Sequence, residues 1–562
     1  MLQSRQSLQI TNRPIHKSKG ALLQFQDSLP QLPVPTLEKT AKQYVKSLHP
    51  LLSAEQYLAS KAAVEDFIKP GGVGRALQAR LLARRDNPEI QNWLNDWWNE
   101  TAYLGNREPV VPYTSYFCSY RDDHLVGNPA KRAAAITFAA LEFQGLVDSS
   151  SLEPELTKGQ PLCMAGYKWL YNATRMPARP SDIPVKFKAD EHKHIIVVRK
   201  NQFFLIPHTL DGKQLSAVEL ERQFNRVYQL ASTQAQAQVP AVGALTSANR
   251  DTWADTRGLL HSHSHPTNKE ALRVIESASF LVCLDEAAPV KLESRARQYW
   301  HGDGANRWYD KPVQFIVNEN GTAGFMGEHC MVDGTLALQL NEYINARILS
   351  GLEFDAAGGR LDMPVPRRVQ FEVTGQVQVQ IARAVAEFHS VMTRHNLAVL
   401  AYKGYGRALV KKLQCSPDAY VQMLIQLAYF KMHGKIVPTY ESASTRRFQL
   451  GRTETCRSVL DESVACAAAS MGKGVDRHLF GLRKVLRPDK EIPVSSEFFN
   501  GYGWAQAVDD GFGVAYMINE NWLNFNIVSK GPDCDRMRYY LREAAEEMHY
   551  LLKETIAPEV KL

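Results

Sequence analysis

Residues 313–334 read VQFIVNENGTAGFMGEHCMVDG, and this stretch decides the fold class. Val313 to Val317 and Ala323 to Gly327 are short apolar runs. The Asn-Glu-Asn-Gly at 318–321 between them has the composition of a tight turn, so the spacing predicts two strands of a hairpin. The second strand leads straight into Glu328-His329, which puts a histidine at the edge of a sheet. Upstream, Ile195 to Val198 and Phe203 to Ile206 form another predicted hairpin around Arg199 to Gln202, and Lys269 to Val282 reads as a helix. Downstream, an amphipathic helix is expected from Val377 toward Leu397. A second runs from Pro417 to Met432, where Ser416-Pro417 sets proline in the first helical turn. Near the start, Leu32-Pro33-Val34-Pro35 opens helical patterns from about Leu37 to Glu100. Trp93, Trp97, Trp98 and Tyr103 cluster around their end, at a spacing typical of core aromatics. Helices alternating with strands over this length imply an α/β or α+β fold.

The chain has 562 residues, too many for one compact core, so two domains are expected. Hydrophobic residues make up 44%, charged residues 22%, and the mean hydropathy is −0.31, which describes an ordinary globular protein. No apolar run reaches the length of a membrane span, which argues against an integral-membrane protein and leaves room for peripheral contact. The net charge of +7 is spread without blocks of Lys or Arg, so nucleic acid is not an expected partner. Eight cysteines lie far apart without a CxxC pair, as befits buried thiols in a reducing compartment. The first 26 residues carry Arg5, Arg13, Lys17 and Lys19 and no acidic residue before Asp27. That composition resembles a mitochondrial presequence, with a basic tail as the alternative. Val560-Lys561-Leu562 shares its last two residues with a peroxisomal signal.

The sharpest chemical feature is His329-Cys330-Met331-Val332-Asp333-Gly334, an HxxxDG. A histidine at a strand end titrates near neutral pH and can take a proton from an attacking hydroxyl or thiol. Asp333, four residues on, can orient its surroundings, and Gly334 permits a tight turn. The competing reading is a strand-end histidine followed by a capping aspartate. His261-Ser262-His263-Ser264-His265 could place alternate imidazoles on one strand face. No carboxylate or cysteine accompanies it, so it reads as an exposed loop, and no metal site is expected.

Further motifs are more particular: Thr439-Tyr440-Glu441-Ser442-Ala443-Ser444, Gly451-Arg452-Thr453-Glu454-Thr455, Asn306-Arg307-Trp308-Tyr309-Asp310-Lys311, Asp251-Thr252-Trp253-Ala254, Ser416-Pro417-Asp418-Ala419 and Asp476-Arg477-His478-Leu479. Together they resemble the signature set of the carnitine/choline acyltransferases, from about Leu32 to the C-terminal helix. The resemblance implies two domains, each similar to chloramphenicol acetyltransferase, with a substrate tunnel between them. It implies a basic tail over 1–30, a coenzyme A/carnitine domain built from 31–90 with 373–562, and a domain over 91–372 that carries the catalytic histidine. By the same resemblance, His329 is the catalytic base and Asp333 its carboxylate. Tyr440, Ser442, Thr453, Arg477, Trp98 and Tyr103 match carnitine-contacting positions, and Arg407, Lys411 and Asp418 match coenzyme A positions. Arg477 would pair with the carnitine carboxylate, which choline lacks. The implied reaction is direct, reversible transfer of a short acyl group, acetyl first, between coenzyme A and carnitine. It needs no acyl-enzyme, and acyl-coenzyme A serves as cosubstrate rather than resident cofactor. Medium- or long-chain transfer is the nearest alternative. The expected state is a monomer, mitochondrial and with a peroxisomal alternative.

The chain departs from the family in two places. Residues 458–475 are shorter than the corresponding stretch of relatives. Near 493–495 the chain passes directly from Pro493-Val494 to Ser495-Ser496, and the strand bearing the Ser-Thr-Ser motif, which would hydrogen-bond carnitine and the oxyanion, is missing. A chain lacking it is expected to be impaired, and a protein that only binds coenzyme A is the alternative from another class. The segment Phe498-Phe499-Asn500-Gly501-Tyr502-Gly503-Trp504 resembles the fungal-type carnitine acetyltransferases.

Overall fold

The computed structural model describes residues 20–233, 239–262, 266–352, 354, 359–412, 415–435, 437–459 and 498–555. The chain folds into two compact units, one of residues 1–101, 145–168 and 436–492, the other of 102–144, 169–435 and 493–562.

The first unit opens with three helices, α1 Leu37–Leu48, α2 Ala54–Ile68 and α3 Val73–Asp86. Thr36 caps α1 through its side chain, and Ser53 with Gln56 forms a full capping box on α2, satisfying amide groups that a helix end leaves open. Trp93 is buried and donates its indole N–H to the Leu32 carbonyl at 3.1 Å, so the proline-rich entry is tied to the core. Trp98 is buried as well, while Trp97 is half-covered beneath the Arg84 guanidinium. The unit also holds the antiparallel strand pair Tyr440–Ser444 and Thr453–Arg457.

The second unit is built on an eight-stranded mixed sheet. Its strands are β1 Ser115–Tyr120, β2 His194–Arg199, β3 Gln202–Pro207, β4 Leu281–Asp285, β5 Gln314–Asn318, β6 Ala323–Glu328, β7 Arg367–Val369 and β8 Phe499–Gly503, in the order β7-β3-β2-β4-β5-β6-β1-β8. Both predicted hairpins form, β2 with β3 and β5 with β6. In the second, Gly321 takes φ +76° and donates to the Asn318 carbonyl at 2.8 Å, a backbone state that glycine adopts without penalty. Strand β4, LVCLD, is buried along its whole length between parallel neighbours β2 and β5, which explains why it shows no apolar/polar alternation.

That lack of alternation misleads sequence reading. The helix expected over Lys269 to Val282 runs from Pro266 to Ser277, and Leu281 and Val282 belong to β4. Likewise the helix expected to reach Leu397 spans Gly375–Thr393, and Leu397 lies in the strand Asn396–Tyr402. His261 sits on the helix Arg250–Ser262 rather than in a loop, and residues 263–265 lie outside the described residues. The strand Asn396–Tyr402 forms a three-stranded sheet with Gly513–Ile518 and Leu523–Ser529. Helices Pro417–His433 and Cys534–Thr555 share an apolar core with it. Seven described cysteines are free thiols, all buried except the half-buried Cys415. No described helix is long and apolar enough to cross a membrane.

Candidate active site

The end of β6 brings together a set of groups around His329. In the pairing of β1 with β6, Tyr116 lies opposite Gly327 and Ser115 opposite Glu328. The strand ends at Glu328, and His329 is the next residue. A Cβ at Gly327 would collide with the Tyr116 ring. With glycine there the ring lies flat enough to meet the His329 imidazole edge to face, 5.0 Å between centroids and 69° between planes. Tyr103, in the π-helical turn Asn99–Leu104, stacks on the imidazole at 5.1 Å and 11°. The His329 backbone N–H donates to the Thr114 carbonyl at 3.1 Å. Asp333 Oδ1 stands 3.6 Å from His329 Nδ1, beyond hydrogen-bond range. Both side chains are about nine-tenths buried.

Asp333 is the residue preceding the helix Gly334–Leu349, yet its side chain makes no capping bond to that helix. The capping reading of this aspartate therefore falls away. So does the tight-turn reading of Gly334, which is the first helical residue, has no positive φ, and faces open space where a side chain would stand.

Beneath the imidazole lies a buried ionic network that sequence reading missed. Glu328 accepts from the Cys330 backbone N–H at 3.1 Å and from Arg175 Nη1 at 3.1 Å. Arg175 also donates to Asp182 Oδ2 at 2.7 Å, to Thr114 Oγ1 at 3.3 Å and to the Tyr103 carbonyl at 2.7 Å. Asp182 in turn accepts from Arg250 at 2.6 Å, and Arg250 donates to Asp310 at 2.7 Å, which also accepts from the Trp253 indole at 2.7 Å. Burial opposes charge on Arg175, but the attraction of Glu328 and Asp182 outweighs it and holds the guanidinium above its ordinary value. For Asp182, burial is likewise outweighed, here by Arg250 and Arg175, and its carboxyl is held below the usual carboxylate range. The DTWA and NRWYDK motifs are thus accounted for by packing. Arg307 is clamped on both Asp285 oxygens at 2.6 Å, and Lys311 donates to the Glu276 and Ala278 carbonyls at 2.9 and 2.7 Å.

The coenzyme A candidates occupy another part of the same unit. Arg407 begins the short helix Arg407–Lys412, and Lys411 lies one turn on, exposed. The Arg407 guanidinium is engaged by Glu520 Oε2 at 2.9 and 2.7 Å. Asp418, in the first turn of the helix Pro417–His433, accepts from the Tyr516 hydroxyl at 2.7 Å.

The remaining candidates belong to the first unit. The register pairs Tyr440 with Arg457, Ser442 with Thr455 and Ser444 with Thr453, so Tyr440, Ser442 and Thr453 share one face of the two-stranded ladder. Ser444, Thr455 and Arg457 share it too, and strand period two is the signal that could have found them. Ser442 is buried, and its hydroxyl has no hydrogen-bond partner among the described residues. Trp98 ends the short helix Asn95–Trp98. Arg477 lies outside the described residues, and no metal-binding cluster occurs among the described residues.

The end of β6 thus presents His329 against two tyrosine rings with a carboxylate nearby. The family model for choline/carnitine O-acyltransferases matches residues 32–469 and 465–543. The carnitine O-acetyltransferase, mitochondrial, of Saccharomyces cerevisiae is 34% identical, covering 97% of this chain and 91% of the relative. Human choline O-acetyltransferase is 32% identical, covering 90% and 76%. The chain belongs to the choline/carnitine O-acyltransferase family and is an acyltransferase. Among solved structures, the condensation domain of the enacyloxin polyketide synthase covers 90% of this chain and 91% of its own at 10% identity, with a TM-score of 0.35. The alignment with the yeast relative spans 616 positions while covering 97% of this chain, so it includes positions at which this chain has no residue. The family match is in two parts that meet at 465–469, inside residues 458–475.

Proposed function

We propose that the chain is a carnitine O-acyltransferase that moves a short acyl group, acetyl first, reversibly between coenzyme A and carnitine, with His329 as general base. The observation that carries this reading is the clamping of the His329 ring by Tyr103 and Tyr116, with Asp333 on its Nδ1 side. In this reading Nε2 is the nitrogen that meets a substrate proton. The carnitine hydroxyl gives its proton to Nε2 as its oxygen bonds to the thioester carbonyl carbon. The C–S bond then breaks, and the imidazolium returns the proton to the coenzyme A sulfur. No acyl-enzyme is needed. Carnitine is favoured over choline by Arg477, whose guanidinium suits a carboxylate, and by Thr453 on the same ladder face as Tyr440 and Ser442. Arg407, Lys411 and Asp418 are assigned to coenzyme A. A mitochondrial setting accords with the name of the yeast relative and with the basic first 26 residues.

Release of free thiol from acetyl-coenzyme A, measured with carnitine and then with choline, tests this. Turnover with carnitine in clear excess supports the reading; preference for choline overturns the substrate assignment. A second reading, a chain impaired in turnover, is favoured by the alignment positions at which this chain has no residue and by the absent Ser-Thr-Ser segment. Loss of one oxyanion donor costs about 10²–10³ in rate. Inserting a family-like Ser-Thr-Ser strand between Pro493 and Ser495 is expected to raise turnover by about that factor. Full activity in the chain as it stands rules this second reading out.

A further inference from the structure

Three residues beside the His329 ring and backbone, Thr114, Tyr103 and Glu328, are all bonded to one buried side chain. Thr114 accepts the His329 N–H through its carbonyl, and its hydroxyl accepts from Arg175 at 3.3 Å. Tyr103 stacks on the imidazole, and its carbonyl accepts from Arg175 at 2.7 Å. Glu328 precedes His329 and shapes the turn by accepting the Cys330 N–H, and its carboxylate accepts from Arg175 at 3.1 Å. Two further bonds, to Asp182 at 2.7 Å and to the Asn106 carbonyl at 3.4 Å, anchor the guanidinium in the core. Arg175 itself is 1% exposed.

From this convergence we infer that Arg175 is a positioning residue for the transfer reaction: it sets the orientation of the His329 imidazole through Thr114, Tyr103 and Glu328 without touching substrate. The planar fork suits the task. Its five N–H groups point in fixed directions, so one side chain can hold three acceptors in register. A lysine in its place keeps the charge but cannot reach all three at once. The inference rests on the assignment of His329 as base.

Arg175→Lys is the test, measured beside Arg307→Lys. Arg307 is equally buried and is clamped on Asp285, but it contacts none of the three residues that hold His329. Both variants are expected to lower the melting temperature. Only Arg175→Lys is expected to lower kcat by about 10–100-fold, the scale of a misplaced reacting group, with KM for acetyl-coenzyme A within about threefold because binding groups are left in place. Should Arg175→Lys fail to fold, Glu328→Gln reads the same link, with kcat down about tenfold at unchanged KM. A fall in kcat that runs parallel in Arg175→Lys and Arg307→Lys, or wild-type kcat in both Arg175→Lys and Glu328→Gln, overturns the proposal. His329→Ala in the same assay separates the two levels. If it stays active, the base assignment has failed. If it is dead while Arg175→Lys turns over normally, only the positioning role has.

Discussion

Two arginines of one unit pair with carboxylates in opposite surroundings. Arg175 and Asp182 have side chains 1% and 0% exposed, whereas Arg407 and Glu520 are 39% and 48% exposed. In the buried pair, taking both ions out of water is costly, and the arrangement persists because every donor of Arg175 has an acceptor. In the half-exposed pair, water screens the attraction and the net contribution is about 0–1 kcal/mol. The first arginine cannot be spared for a ligand without leaving carboxylates stranded. The second can exchange Glu520 for an incoming phosphate at little cost. On the proposed assignments, the buried network supports the fixed geometry of His329 and the half-exposed pair supplies an adaptable cation for coenzyme A.

The largest effect that can break this contrast is at the buried end. His329→Ala is expected to reduce turnover by about 10²–10⁴-fold, the usual contribution of a general base. Coenzyme A affinity, measured by calorimetry, should stay within a few-fold, because the base acts on the proton in flight. Equal loss of binding and turnover would make His329 a structural residue.

Next in size is the network itself. Asp182→Asn strands Arg175 and Arg250 and is expected to cost about 3–5 kcal/mol of stability near neutral pH. The carboxyl of Asp182 is held below its ordinary value in the folded protein, because the pull of Arg250 and Arg175 outweighs burial. Its contribution is therefore present above the ordinary carboxylate range and is lost as the pH falls through the folded value. The gap in stability between wild type and Asp182→Asn should narrow on acidification. Denaturant melts at a series of pH values check this, and a gap that widens toward acid would show that the pairing has the wrong sign.

What can be read from sequence follows the same division. The β5–β6 hairpin and the placing of His329 are legible, because a turn composition and two apolar runs are local signals. The family motifs are legible as a set, but DTWA and NRWYDK carry no hint that Trp253 and Arg250 both donate to Asp310, or that Arg250 links Asp310 to Asp182, a residue in no motif. Arg175 is invisible for the same reason: its partners at 103, 114, 182 and 328 are brought together only by the fold. The start of β4 reads as the end of a helix because a strand buried on both faces has no period-two pattern. The shared face of Tyr440, Ser442 and Thr453 is a register fact, and register between two strands is not written in either one alone.

The smallest effect tests the exposed end. Arg407→Gln is expected to weaken acetyl-coenzyme A binding by about tenfold or more, since a charge-assisted bond contributes about 1.5–3 kcal/mol, while the melting temperature barely moves. Glu520→Gln should go the other way. Removing the carboxylate releases the guanidinium that Glu520 now holds at 2.7 Å, so acetyl-coenzyme A should bind more tightly by about two- to fivefold, the equivalent of the weak pair it replaces. Because the competing pair and the phosphate contact are both screened, the gain should shrink as salt is raised through the range where the Debye length falls from about 10 Å to about 3 Å. The same measurement with coenzyme A lacking its 3′-phosphate tells which anion Arg407 meets. If the gain persists with that ligand, the pyrophosphate is the partner; if it vanishes, the 3′-phosphate is. Unchanged or weaker binding in Glu520→Gln would mean that Glu520 orients Arg407 for the ligand rather than competing with it, and that the exposed pair is held to its geometry no less firmly than the buried one.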